Sequence, residues 1–214
     1  MSTKKAYVIG TNTDSSLSPL IFNHWFKKHN IDAKYDYIKI KEKNFNKEIN
    51  KILKEKNLCG VNITTPFKVK VIKKIHQLDK HSKKIGSVNC ITIKNNKYYG
   101  SNTDWIGFEN ALINVNKKNG ILKKEIPKKT KTILIGYGGA AKAVLYSLLL
   151  MNHKNIFVFN RSKRKIYIPK NTQNYTLSLE KIPDYIESAH LIINTTPGNI
   201  FNDLKIKKIE KEII

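Results

Sequence analysis

Apolar positions along the chain recur in two alternating rhythms, one of strands and one of helices. Ala6 to Ile9 is a short apolar run suited to a buried strand, and a polar stretch through Ser18 ends it. Pro19 then opens a segment in which Leu20, Ile21, His24 and Trp25 share one face at helical spacing, and proline suits a first helical turn. Tyr35 to Ile40 alternates large apolar with polar residues as a strand does, and Phe45, Ile49, Ile52 and Leu53 return to helical spacing. Leu58 to Thr64 reads as a third strand, and Pro66 predicts another helix. Val88 to Ile93 and Lys97 to Gly100 form a predicted hairpin around Asn95-Asn96. A helix over Trp105 to Lys118 is followed by a Lys/Gly/Pro-rich linker ending near Lys129.

The pattern restarts after the linker. Thr132 to Ile135 is a strand, Gly136 to Gly139 a turn, Ala140 to Met151 an apolar helix, and Ile156 to Phe159 and Leu191 to Ile193 are further short apolar strands. Strands alternating with helices predict an α/β fold with a parallel sheet and right-handed crossovers. Two domains are expected: an N-terminal α/β domain over 1–104 and, after a linking helix and linker over 105–129, a Rossmann-like parallel-sheet dinucleotide-binding domain over 130–214.

Composition narrows the function classes. No apolar run approaches the ~20 residues of a membrane helix, and Ala6 to Ile9 is too short for the apolar region of a signal peptide. Cys59 and Cys90 make no disulfide framework and lack metal-ligand spacing, so no metal is expected. These bounds describe a soluble protein of the cytoplasm. The formal charge of +24 invites a nucleic-acid reading, because clustered cations neutralise phosphates. Only two of the 40 basic residues are arginines, however, and Lys, Ile and Asn together fill 93 of 214 positions. All three have A/T-rich codons, and the lysines are scattered without interleaved aromatics for base stacking. A specific nucleic-acid partner is therefore not expected.

The clearest chemical signal is Gly136-Tyr137-Gly138-Gly139-Ala140-Ala141 directly after a strand and opening a helix. It matches the G-x-G-x-x-G/A fingerprint: Gly136 for the tight turn, Gly138 for approach to a pyrophosphate, Ala141 for close helix–strand packing. The helix N-terminus offers unpaired N–H groups to the phosphates. A glycine turn alone would be unspecific; the strand–turn–helix setting favours the dinucleotide. The next strand ends in Asn160-Arg161-Ser162-Lys163-Arg164-Lys165, which holds both arginines and no acid. A carboxylate there would bind a ribose 2′-hydroxyl, whereas a guanidinium suits a 2′-phosphate, so the cofactor reads as NADP.

In the first half, Ser16, Ser18, Asn62, Thr64, Lys68, Asn89, Thr103 and Asp104 all fall at predicted strand ends or just beyond them. Open α/β sheets bind ligands there. These hydroxyls, amides and one ammonium suit a polyhydroxylated carboxylate. Lys68 and Asp104 are the natural proton-handling pair, since an ammonium can protonate a developing alkoxide and a carboxylate can orient it. Taken singly each residue has a plainer use, such as Ser18 or Asp104 capping a helix.

Together these segments resemble the shikimate dehydrogenase family. Ser16-Leu17-Ser18-Pro19 with Asn23 is similar to its S-x-S-P…HN segment, and Asn62-Ile63-Thr64-Thr65-Pro66-Phe67-Lys68 to its N-V-T-x-P-F-K motif. Gly86-Ser87-Val88-Asn89-Cys90 resembles G-A-V-N-T, and Gly100-Ser101-Asn102-Thr103-Asp104 resembles G-x-N-T-D. Gly136 to Ala141, Asn160-Arg161-Ser162 and Asn194-Thr195-Thr196-Pro197 are similar to the cofactor-domain motifs. The likeness runs collinearly over nearly the whole chain. It implies the reversible NADPH-dependent reduction of 3-dehydroshikimate to shikimate, a step of aromatic amino-acid biosynthesis. It implies Lys68 and Asp104 as catalytic residues, and Ser16, Ser18, Asn62, Thr64, Lys68, Asn89, Thr103 and Asp104 around the substrate. NADP would lie on Gly136, Tyr137, Gly138, Gly139, Ala140, Ala141, Asn160, Arg161, Ser162, Lys165, Thr195 and Thr196, with Arg161 on the 2′-phosphate. The expected partner is the small-molecule substrate, and a homodimer is compatible with the reading.

The chain departs from the family at several places. Asn12 and Thr13 stand where the family has Pro and Ile, and Asn199-Ile200 stand where it has Gly-Met. The sequence ends at Ile213-Ile214, before the family's next strand, with its substrate-contacting Tyr, and the helices that follow. This predicts weakened shikimate binding and an exposed apolar patch on the first domain. The alternative expectation is an eroded remnant that still binds nucleotide.

Overall fold

The computed structural model describes residues 3–118, 130–162 and 176–197, and the chain divides into two compact units, Met1–Thr103 and Asp104–Ile214. In the first unit the elements are β1 (Lys4–Gly10), α1 (Ser18–Lys28), β2 (Ala33–Lys39), α2 (Phe45–Ile52), β3 (Leu58–Ile63), β4 (Gln77–Leu78), α3 (Lys80–Ile85), β5 (Cys90–Lys94) and β6 (Lys97–Ser101). They form a six-stranded sheet in the order β2-β1-β3-β5-β6-β4. β1 pairs parallel with both β2 and β3, whereas β3, β5 and β6 run antiparallel. The sheet is therefore mixed, not parallel throughout. The hairpin at Asn95-Asn96 reverses β6 against β5: both residues take positive φ, 52° and 56°, the geometry of a tight two-residue reversal that asparagine tolerates.

α2 and α1 pack on opposite faces of this sheet. Phe45, Ile49 and Ile52 of α2 pack on Ile9, Val61, Ile63, Phe67, Val71, Val88 and Ile91. On the opposite face Ala6, Val8 and Tyr35 meet Phe22 and Phe26 of α1. No α1 residue is fully buried, and Leu17, Leu20, Ile21 and Trp25 are exposed.

Pro66 opens no α-helix. The chain turns there, with the Phe67 amide donating to the Thr64 carbonyl, and only a 3-10 helix follows at Lys70–Lys74. Phe67 and Val71 drop their side chains fully into the core, so burial and not helical propensity sets the path. α3 carries local signals of its own. Asp79 caps it by accepting from the Ser82 amide (2.6 Å), and Gly86 ends it in the left-handed region.

The second unit contains α4 (Asp104–Lys118), β7 (Thr132–Ile135), α5 (Gly139–Leu150), β8 (Ile156–Phe159), β9 (Thr176–Leu177), α6 (Ile182–Ile186) and β10 (Leu191–Asn194). Its sheet has the order β10-β7-β8-β9, and every pairing is parallel. All four β7 residues are buried, as a central strand covered on both faces requires. On one face Leu134, Val158 and Ile193 pack against Val144, Leu145 and Leu148 of α5 and Leu112 of α4. On the other, Ile133, Ile135, Phe159 and Ile192 pack against Ile182. Strand order reverses beside β7, which places a ligand crevice beyond its carboxyl end.

Candidate active site

In the first unit a cleft of about 380 Å³ lies at the carboxyl ends of β1 and β3. It is lined by Ser16, Ser18, Asn62, Thr64, Lys68 and Asn89, six residues from three separate stretches of sequence. Asn12, Thr13 and Ser15 also line it, although the sequence named none of them as a site residue. Their position in the β1–α1 loop was the available signal, because loops at strand carboxyl ends form such sites.

Each stretch is fixed by backbone bonds. The Thr64 amide donates to the Ile9 carbonyl (2.8 Å), joining the end of β3 to β1. Phe67 stacks on Phe45 (centroids 4.3 Å apart, planes at 15°) and so anchors the turn from which Lys68 projects. The Val88 amide donates to the Lys68 carbonyl (2.8 Å), and the Ile63 amide to the Asn89 carbonyl (2.8 Å). The β1–α1 loop is tied down by the Ser16 amide on the Thr13 carbonyl (3.1 Å) and by an exposed Lys39–Asp14 ion pair (2.9 Å). The Lys39 hydrogen bond holds the Asp14 carboxyl below its ordinary range.

The polar side chains also bond to one another. Tyr35, buried in β2, donates its phenol proton to Asn62 Oδ1 (2.6 Å), and Asn62 Nδ2 donates to the Asn89 carbonyl (3.3 Å). Burial pushes the Tyr35 phenol well above its usual range, an effect that a hydrogen bond from Ser18 partly opposes. The Asn89 side chain donates from Nδ2 to Thr103 Oγ1 (3.0 Å) and accepts from the Thr103 amide at Oδ1 (3.0 Å). Thr103 is thereby held to a cleft residue. Asp104, the next residue in the chain, is the first of α4 and belongs to the second unit. Asn23, part of the quoted motif, does not line the cleft. Its amide brackets the backbone of Tyr35, donating to the carbonyl (2.8 Å) and accepting from the N–H (2.9 Å).

The second unit brings its own predicted residues together beyond β7, β8 and β10. The Gly136 amide donates to the Phe159 carbonyl (2.7 Å), and the Thr195 amide and hydroxyl both donate to the Ile135 carbonyl (2.9 and 2.6 Å). Gly136 has φ +98°, and a Cβ there would lie 2.6 Å from Thr195 Oγ1, so only glycine fits. Gly138 caps α5, and a Cβ on it would meet nothing within 4 Å. That open space in front of the unpaired N–H groups of α5 is where the backbone can receive a pyrophosphate. Tyr137 packs against the α5 side of the core, and Gly139 and Ala140 begin the helix. Ala141 is fully buried, as close helix–strand packing requires. Asn160 donates to the Ser162 carbonyl (2.7 Å), shaping the turn that carries the exposed Arg161. Thr196 donates from its amide and hydroxyl to Asn194 Oδ1 (2.9 and 2.7 Å). Lys165, Asn199 and Ile200 lie outside the described residues. Among the described residues no group of three or more His, Cys, Asp or Glu side chains could hold a metal ion.

Residues 8–91 match the family model described as shikimate dehydrogenase substrate binding domain, and residues 121–212 match that of shikimate / quinate 5-dehydrogenase. A shikimate dehydrogenase (NADP(+)) of Aquifex aeolicus is 36% identical over 213 residues, spanning 94% of this chain and 73% of the relative. The chain belongs to the shikimate dehydrogenase family. A second relative, the shikimate dehydrogenase (NADP(+)) of Methanosphaera stadtmanae, is 34% identical over 91% of this chain and 68% of its own length. The crystal structure of the Aquifex aeolicus shikimate dehydrogenase superposes with a TM-score of 0.76 at 32% identity, covering 94% of this chain and 75% of that one. A crystal structure of a shikimate dehydrogenase in complex with NADP+ gives a TM-score of 0.70 at 27% identity, covering 91% of this chain and 67% of that one. The family fold, a substrate-binding unit and a Rossmann-like unit, is thus present in this chain.

Proposed function

We propose that this protein is an NADP-dependent shikimate dehydrogenase, catalysing the reversible reduction of 3-dehydroshikimate to shikimate in aromatic amino-acid biosynthesis. The observation that carries the reading is the convergence of Ser16, Ser18, Asn62, Thr64, Lys68 and Asn89 on one cleft, in a chain of that family. Hydroxyls and amides suit the carboxylate and hydroxyls of such a substrate, each neutral bond contributing about 0.5–1.5 kcal/mol. Thr103 keeps Asn89 oriented through the paired bonds described above.

In this proposal Lys68 is the proton donor: its ammonium protonates the substrate oxygen as negative charge develops there, and in the reverse direction its neutral amine takes the hydroxyl proton. Asp104 is kept as the second catalytic residue on its motif and on its position next to Thr103 in the chain. The open approach at Gly138, the Gly136–Thr195 contact and the Arg161 turn suit NADP, which when bound supplies or accepts the hydride. The acid-free turn Asn160-Arg161-Ser162 leaves the guanidinium to meet a 2′-phosphate. A cytoplasmic location and self-association as a homodimer are part of the proposal. No described helix is long and apolar enough to cross a membrane.

The test is an NADP-linked assay with shikimate on purified protein. Turnover is expected, with activity reduced by orders of magnitude in Lys68→Ala. Absence of turnover at any shikimate concentration overturns the activity, and wild-type turnover in Lys68→Ala overturns the role of that residue.

A further inference from the structure

Tyr35 is 2% exposed, and its ring is stacked on Phe22 with centroids 4.6 Å apart and planes at 6°. A buried phenol must place its hydroxyl on a partner, and here the partner is a residue of the cleft. Asn62 has a carboxamide whose two ends differ only in whether they donate or accept. Its surroundings choose between them. The Asn89 carbonyl can only accept, so the Nδ2 end faces it, and the Tyr35 hydroxyl then donates to Oδ1.

At 2.6 Å the phenol bond is much the shorter of the two. The 3.3 Å contact with Asn89 is weak, and the carbonyl concerned already accepts from the Ile63 amide at 2.8 Å. Tyr35 therefore supplies most of what fixes this side chain. With Oδ1 accepting from Tyr35 and one N–H turned to Asn89, Asn62 keeps the second N–H of Nδ2 to donate to a ligand. Two further bonds hold the residue in register: Asn23 clamps the Tyr35 backbone from both sides, donating to its carbonyl and accepting from its N–H.

We propose that Tyr35 is a positioning residue, which locks the Asn62 carboxamide so that its N–H donates to a substrate oxygen. The inference rests on the proposed dehydrogenase activity and on Asn62 touching the substrate. It assigns a direction to that contact: Asn62 recognises an acceptor, a hydroxyl or carbonyl oxygen, and no longer discriminates once the phenol proton is removed.

The test is a double-mutant cycle of Tyr35→Phe and Asn62→Ala, read as KM for shikimate, KM for NADP, kcat and shikimate affinity by calorimetry. Phenylalanine keeps the stack on Phe22, so a melting temperature close to wild type is expected. Tyr35→Phe should raise the KM for shikimate about tenfold, the size of one neutral hydrogen bond, with kcat and the KM for NADP within about twofold of wild type. In the Asn62→Ala background the same change should have no further effect. A merely structural tyrosine would instead lower the melting temperature and add its penalty in both backgrounds, and that result overturns the proposal. If Asn62→Ala loses shikimate affinity while Tyr35→Phe does not, the positioning role falls and the contact of Asn62 stands. If neither variant loses affinity, the assignment of Asn62 falls and takes the role of Tyr35 with it.

Discussion

His153 is fully buried between the end of α5 and the start of β8, with Nε2 2.7 Å from Thr132 Oγ1 and no partner at Nδ1. Burial pulls its pKa down from 6.5 to about 4, so the folded chain keeps the imidazole neutral. Above the unfolded value both states are neutral, and the contribution of His153 to stability is complete. As pH falls below 6.5 the unfolded chain takes up a proton that the folded chain refuses, and stability is lost until about pH 4. The loss amounts to roughly 3 kcal/mol. Urea denaturation at pH 7, 5.5 and 4.5 should show it, and His153→Gln should flatten that slope. Thr13 makes the complementary case. Its hydroxyl is buried without a partner. Thr13→Val removes the stranded hydroxyl at constant shape and should stabilise the fold by about 1 kcal/mol in the same denaturation experiment.

Among the elements, the turn between β7 and α5 is tightly constrained. Gly136→Ala would force a side chain into φ +98° and against Thr195 and Thr196. It should cost about 1–3 kcal/mol of stability and weaken NADP binding, measurable by denaturation and by calorimetry. This turn was legible in the sequence because its geometry demands particular residues at fixed offsets, and the short apolar run Thr132 to Ile135 directly before it reads as a buried strand. The reading of Pro66 as a helix start failed because Phe67 and Val71 are drawn into the core, a tertiary demand that no local pattern carries. The short pairs β4 and β9 have too few residues to show a period. In the cleft, residues inside motifs could be found. Tyr35 could not, since nothing in Tyr35-Asp36-Tyr37 tells which ring turns inward, although one is 2% and the other 46% exposed.

For the whole molecule, the two units carry separable tasks. If the residue assignments hold, Lys68→Ala should abolish turnover yet leave NADP affinity near wild type. Arg161→Ala should weaken NADP by about 1.5–3 kcal/mol, as for a bond to a charged group, and leave NAD binding nearly unchanged. Calorimetric titration of both cofactors against both variants checks this crossed pattern, and equal NADP and NAD affinities in the unmodified protein would defeat the role of Arg161. The first unit also has an open sheet border at β2, which pairs with β1 on one side only. Along that border the outward N–H and C=O of Tyr35 are taken by Asn23, and the outward N–H of Tyr37 is taken by the Asp36 carboxylate (2.9 Å). A foreign strand arriving there finds these three docking points already filled, so Asn23 of α1 and Asp36 of β2 guard this stretch of the border against added chains. Asn23→Ala would unseal the border, and light scattering during mild heating should then show clumping at temperatures the unmodified protein tolerates.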